Sequence, residues 1–233
     1  MIKPSIPANE AERLHALKTL EILDSSNEER FDRVTRMAKR MFGVPISLVS
    51  LVDEDRQWFK SKQGLDATET SRDISFCGHA INNDGLFIIP DAIEDERFFD
   101  NPLVTNAPSI RFYAGYPLKL RQGLNIGTLC LIDSKPREMT EEDQLLLKDL
   151  GAMVEQEIKS IQLATLDELT CISNRRGFMT LVDHALKVCK RKQQAVTFIL
   201  FDLNKFKLIN DTYGHHEGDL VLTTFAHTML ECF

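Results

Sequence analysis

The stretch SLVSLVDEDRQWFKS, residues 47–61, decides the fold of the first part of the chain. With Ile46 it begins as an apolar run, Ile46–Val52, of a length that suits a buried strand. DEDR at 53–56 reads as a turn, and QWFKS at 57–61 as the hairpin partner. Upstream, Asn9 and Glu12 mark a helix start, with Ala16, Leu17, Leu20 and Leu23 along one apolar face. Ser26 and Glu29 repeat that signal before Phe31, Val34, Ala38 and Met41, and Gly43 ends this second helix ahead of Pro45. Downstream, strand signals recur at Leu86–Ile89, Phe112–Leu118 and Ile126–Ile132, with a short helix near Cys77–Ile81. Strands joined without crossover helices predict an antiparallel sheet whose faces are covered by helices.

Thr140 opens a further helix with Glu141, Glu142 and Asp143 in its first turn, where carboxylates complement the helix dipole. Leu147, Leu150, Val154, Ile158, Ile161 and Thr165 follow at spacings of three and four. That stripe reads either as a helix packed on its own domain or as a coiled-coil seam, which Gly151 weakens. Its second half is the better dimer connector.

At 233 residues, with 43% apolar and 27% charged residues, the chain has the make-up of ordinary globular protein, enough for one domain and part of another. A net charge of −7 argues against a nucleic-acid or anionic-membrane partner. No apolar run approaches the ~18–20 residues of a membrane span, and the N-terminus MIKPSIPANEAER lacks the apolar core of a signal peptide. A cytoplasmic location is expected. Five cysteines without a CxxC pair are not a disulfide framework and read first as small buried hydrophobes.

SLVSLVDEDRQWFKS together with SFCGHAI (75–81), IPDAIEDERFFDNPLV (89–104), IRFYAGYPL (110–118) and IGTLCLIDSKPR (126–137) resembles a GAF domain, a sensor module found before bacterial signalling outputs. The resemblance covers about residues 24–160 and implies an antiparallel sheet flanked by helices, dimerisation, and a small-molecule pocket of unknown ligand. In such a pocket Trp58, Phe76, Phe112 and Tyr113 would be apolar walls, and Ser75, His79 and Arg111 polar contacts. The competing reading is core packing, above all for Trp58 and Phe112. Cys77 and His79 raise metal, haem or bilin readings, but one Cys-x-His pair falls short of the four ligands of a closed zinc site. Cys77 and Cys130 could instead form a thiol sensor or a methionine-sulfoxide-reductase-like centre, or be buried and inert.

Farther on, DELTCISNRRGF (167–178) and FILFDLNKFKLINDTYGHHEGD (198–219) resemble the opening of a GGDEF domain, the α/β fold of diguanylate cyclases that condense two GTP into cyclic di-GMP. The resemblance implies that Asp202, at the end of a strand Ala195–Phe201, binds Mg²⁺ with the backbone carbonyl of Leu203. It implies that the amides of Lys205 and Phe206 approach the GTP phosphates and that Asn210 and Asp219 bond guanine. Asn204 stands where many members carry a second acidic residue. The name-giving GGDEF turn, with a second metal-binding carboxylate, is expected beyond Phe233.

The expected organisation is an N-terminal helix (1–23), a GAF domain (24–160), an overlapping connector helix (140–166) and an incomplete GGDEF segment (167–233). The GGDEF segment is expected to bind GTP weakly or not at all, to make no cyclic di-GMP, and to bury too little surface for a robust core. Three readings stand: the sensory part of a homodimeric cyclase-family protein, a non-enzymatic ligand-binding or dimerisation module, and a GAF-based thiol redox enzyme.

Overall fold

The computed structural model describes residues 1–120 and 123–232; the side chains of Thr180, Asp183, His184, Lys187, Val188, Arg191, Lys192 and Glu231 lie outside that description. The chain divides into two units, Met1–Ser160 and Ile161–Phe233.

In the first unit, helices α1 (Glu10–Thr19) and α2 (Glu29–Phe42) precede the hairpin of β1 (Ile46–Val52) and β2 (Arg56–Gln63). Then come β3 (Glu69–Ser71), the short α3 (Phe76–Ala80), β4 (Phe87–Ile89), α4 (Pro102–Thr105), β5 (Phe112–Lys119), β6 (Asn125–Asp133) and α5 (Glu141–Thr165). The strands form one antiparallel sheet in the order β3-β2-β1-β6-β5-β4. This is the sheet the alternation of strand signals predicts, with β3 and α4 added. The capping pair Ser26 and Glu29 is not used: α2 starts after Glu28, and the Ser26 carbonyl accepts from Lys60 Nζ at 2.8 Å.

Register fixes which side chains share a face, because neighbours along a strand point to opposite sides. Leu48, Cys130 and Gly115 form one row across the sheet; Ile46, Ile132 and Tyr113 form the next row on that same face. This face packs against α3 and the loops around it, in a core that includes Phe76, Phe87, Phe98 and Val104. The opposite face carries Val49, Leu129 and Tyr116. α2 lies against β1, β2 and β6, and Thr35 of α2 bonds Ser61 of β2 at 2.8 Å. Gly151 of α5 sits under the Tyr116 ring, where a Cβ would come within 2.1 Å of it.

A bulge between Val49 and Ser50 leaves Lys60 without a cross-strand partner and turns its side chain toward α2. That ammonium is fully buried and held by Glu28 at 2.6 Å and Ser25 Oγ at 2.6 Å. α5 opens with a reciprocal cap between Thr140 and Asp143 and buries Leu147, Leu150, Val154 and Ile158. The first half of its apolar stripe is therefore domain packing; from Ile161 to Thr165 the stripe is no longer buried.

The second unit contains α6 (Arg175–Lys192), α7 (Phe206–Tyr213) and α8 (His215–Cys232), with an isolated bridge between Leu166 and Ser173. The Asn174 side chain caps α6 by accepting from the amides of Arg176 and Gly177. The expected strand Ala195–Phe201 is not formed. A strand is held by its ladder, and among the described residues this segment is not part of a sheet; its apolar run is largely exposed, with Leu200 at 96% exposure. No helix among the described residues is long and apolar enough to cross a membrane.

Candidate functional site

The loop before α3 positions the site. Ser75 accepts from the Gly78 amide at 2.9 Å and donates to Gln57 Oε1, so the serine sketched as a ligand contact is committed to capping α3. Asn101 bonds the Ile74 carbonyl at 3.0 Å and caps α4 through the Leu103 amide at 2.8 Å. Held this way, α3 turns Phe76, Cys77 and Ala80 inward.

Aromatic rings occupy much of the space between α3 and the sheet. Phe76 stacks on Phe98 with centroids 4.0 Å apart and on Tyr113 at 5.2 Å, and Phe87 meets Phe98 and Tyr113 edge-on. Offset and edge-on pairs of this kind add about 0.5–1.5 kcal/mol each beyond the area they bury. Tyr113 runs along its own strand over Gly115, where a Cβ would stand 2.4 Å from the phenol oxygen. That path carries the hydroxyl to a small polar cluster inside the apolar core.

At the centre of the cluster is Cys77 Sγ, which accepts from Thr128 Oγ1 at 3.1 Å and Tyr113 OH at 3.3 Å and lies 4.0 Å from Cys130 Sγ. Both cysteines are buried. Burial raises the Cys77 thiol, but its hydrogen bonds with Cys130, Thr128 and Tyr113, with Ser50 nearby, outweigh it and hold its pKa at about 6. Cys130, hydrogen-bonded with Cys77 and equally buried, is pushed up, and burial raises Tyr113 as well. The Ser50 hydroxyl is buried without a hydrogen bond of good geometry, so it adds polarity to the cluster rather than a bond.

Other sequence candidates lie elsewhere. Trp58 pairs with Leu51, and Phe112 is one residue from Tyr113, which puts both on the sheet face away from α3. Arg111 is tied to Asp91, with Nε 2.6 Å from Oδ1, and stands outside the aromatic cluster. His79 is near it but turned outward: its ring meets the edge of Phe98 at 4.9 Å, and Nε2 lies 3.1 Å from the Ile2 carbonyl. Burial lowers its pKa. Cys77 and His79 thus point in different directions, and no group of three His, Cys, Asp or Glu converges among the described residues. The reading from sequence missed Phe87, Phe98 and Thr128. Thr128 was accessible to it, since it shares the alternation of Cys130 along β6.

In the second unit, α7 and α8 fold back on each other around Gly214, which has a φ of +90°. Lys205, also left-handed at φ 58°, caps α7, and Phe206 is its first residue. The buried Asn210 Oδ1 has no hydrogen-bond partner among the described residues and lies so close to Gly218 that a Cβ there would stand 1.9 Å away. Phe206 meets the same spot at 3.4 Å, so the hairpin gathers Phe206, Asn210 and the residue before Asp219. Asp202 and Leu203 lie in the irregular segment ahead of α7, and Asp202 is exposed. One exposed carboxylate and one carbonyl do not by themselves supply the near-octahedral oxygen shell of Mg²⁺, so the residues present do not fit a complete metal site.

Comparison with known proteins follows the same division. Residues 26–158 match the GAF domain family, and residues 164–233 match the family described as diguanylate cyclase, GGDEF domain. A cyclic di-GMP phosphodiesterase of Pseudomonas aeruginosa is 37% identical over 228 residues, 95% of this chain and 38% of the relative. The diguanylate cyclase DgcP of Escherichia coli is 28% identical over 166 residues, 65% of this chain and 48% of the relative. The chain therefore spans less than half the length of either protein. Among solved structures, the GAF domain of an Acinetobacter phosphoenolpyruvate-protein phosphotransferase has a TM-score of 0.47 at 19% identity, over 66% of this chain and 96% of that one. The chain belongs to the GAF family, and its GAF domain is followed by sequence of the GGDEF family of cyclic di-GMP signalling proteins.

Proposed function

We propose that residues 1–233 are the sensory GAF domain and the opening of the GGDEF domain of a cytoplasmic, homodimeric cyclic di-GMP signalling protein. The observation that carries this reading is α5: one helix packs its first half on the GAF sheet and continues to Thr165, directly before the DELT segment. A change in packing between α3 and the sheet would reach the second domain by shifting the strip of sheet on which Leu147, Leu150 and Val154 rest. The effector would be a small molecule that displaces the aromatic cluster around Phe76 and Phe98. Asn210, with its unpartnered buried oxygen, and Asp219 are the groups suited to a guanine edge, which offers both donors and an acceptor. Asp202 and Leu203 would supply part of a Mg²⁺ shell.

Both directions of cyclic di-GMP metabolism occur among the relatives, and the phosphodiesterase is aligned over 95% of this chain. The activity of a whole protein built on this chain is therefore either synthesis or hydrolysis. For residues 1–233 alone the expectation is no cyclic di-GMP formation, because the residues present complete neither a metal site nor a general base, and loss of the base alone typically costs about 10²–10⁴ in rate. The test is chromatography of GTP and Mg²⁺ incubated with purified 1–233 protein. Cyclic di-GMP produced in proportion to enzyme would overturn this reading of residues 1–233. GTP binding that Asn210→Ala leaves unchanged would overturn the guanine assignment.

A further inference from the structure

We propose that Cys77 and Cys130 are a dithiol oxidised by hydroperoxides to an intramolecular disulfide that links α3 to the centre of the sheet. The two sulfurs are 4.0 Å apart, about 2 Å beyond a disulfide bond. Two unbonded thiols in an apolar core need no polar company. Here Thr128 and Tyr113 both direct hydroxyls at Cys77 Sγ, and Ser50 adds a third buried hydroxyl on the same face. Donors gathered on one sulfur favour its thiolate, the form that attacks peroxide. Cys130 has the partner's role: it is held high and lies 4.0 Å from Cys77 Sγ.

The steps balance with a hydroperoxide as oxidant. Cys77 thiolate attacks the terminal oxygen, an S–O bond forms as the O–O bond breaks, and the alcohol or water leaves after taking up a proton. The sulfenic acid at Cys77 is then attacked by Cys130 sulfur, an S–S bond forms as the S–O bond breaks, and water departs with the Cys130 proton. Two thiols are oxidised by two electrons and one peroxide is reduced.

Geometry also says which side moves. β6 is paired with β1 on one side and β5 on the other, so Cys130 is fixed, whereas α3 is a five-residue helix between a serine cap and a turn at Asn82 and Asn83. Closing the bond therefore draws α3 toward the sheet. Both sulfurs are buried, so peroxide reaches them through local opening of α3.

The test uses the 1–233 protein carrying Cys171→Ser, Cys189→Ser and Cys232→Ser, which removes the thiols outside the GAF unit. Hydrogen peroxide is expected to lower its intact mass by about 2 Da, reversibly with a reductant, and peptide mapping should join Cys77 to Cys130. In the same background Cys130→Ser should accumulate a sulfenic acid at Cys77 that dimedone traps, and Thr128→Val, which removes a donor to Cys77 Sγ, should slow that trapping. Cys77→Ala, which keeps a small core side chain, should abolish the mass loss while leaving the melting transition in place. Thiols that stay reduced in the folded protein, or a Cys130→Ser protein in which dimedone does not mark Cys77, would overturn the proposal. The readout is a mass, so its failure leaves the cyclic di-GMP reading untouched.

Discussion

Pro4 rests on Gly78 so closely that a Cβ on residue 78 would stand 2.8 Å from the proline Cγ. This contact is the middle of a strap laid across the outer side of α3. The Ile2 amide donates to the Arg97 carbonyl at 3.1 Å, Lys3 pairs with Asp73 at 2.5 Å, and Asn82 Nδ2 donates to the Ser5 carbonyl at 3.0 Å. The N-terminal residues thus hold the helix that carries Cys77 and the aromatic cluster.

Gly78→Ala should lift this strap, because the neighbour it meets is a rigid ring. The Ile2 amide, bonded to the Arg97 carbonyl, is expected to exchange with deuterium about tenfold faster or more, as an opening free energy falls by about 1.4 kcal/mol, while the amides of β1 and β6 keep their protection. Unchanged protection at Ile2 would show that Pro4 yields without losing the strap.

Much of the first unit is legible in its sequence because its signals are local. Ile46–Val52 is apolar throughout and flanked by turn residues, and it forms the strand it predicts. The pocket was read less well, for a reason also local: Phe112 and Tyr113 are adjacent in one strand and cannot line one face. That error was avoidable from period alone. The partners of Cys77 were not, since Thr128 and Tyr113 meet it only after two strands and a helix assemble. Ala195–Phe201 shows the opposite limit: a strong strand signal forms no strand where no sheet is assembled around it among the described residues.

Glu10 predicts how the first unit responds to acid. Arg13, almost wholly buried, grips both its carboxylate oxygens at 2.8 Å and donates to the Val52 carbonyl, and Arg72 reaches the same carboxylate at 2.5 Å. Burial alone would raise this carboxyl; the two guanidiniums outweigh it and bring its pKa from 4.5 to about 2. The folded state therefore favours the ionised form more than the unfolded chain does. This contribution is complete above pH 4.5 and is lost as pH falls toward about 2. Urea unfolding at pH 7 and pH 3 should differ by on the order of 2 kcal/mol more in the wild type than in Glu10→Gln. Equal pH dependence in the two proteins would remove Glu10 from the account.

The α7–α8 hairpin depends on a glycine for space rather than for conformation. Gly218 lies inside a helix, yet Asn210 Oδ1 occupies the place its Cβ would take, and Phe206 stands behind it. Gly218→Ala raises the intrinsic helix propensity of α8 by about 1 kcal/mol, so on propensity alone it should stabilise the unit. The contact predicts the reverse: Asn210 is displaced and the two helices separate. Amides of 206–230 should then exchange faster while those of 46–133 do not change. Asn210→Ala in the same chain should restore much of the protection, because it removes the colliding oxygen along with a buried acceptor that has no partner. If Gly218→Ala slows exchange in α8, propensity wins and the close approach to Asn210 is not a constraint on the fold.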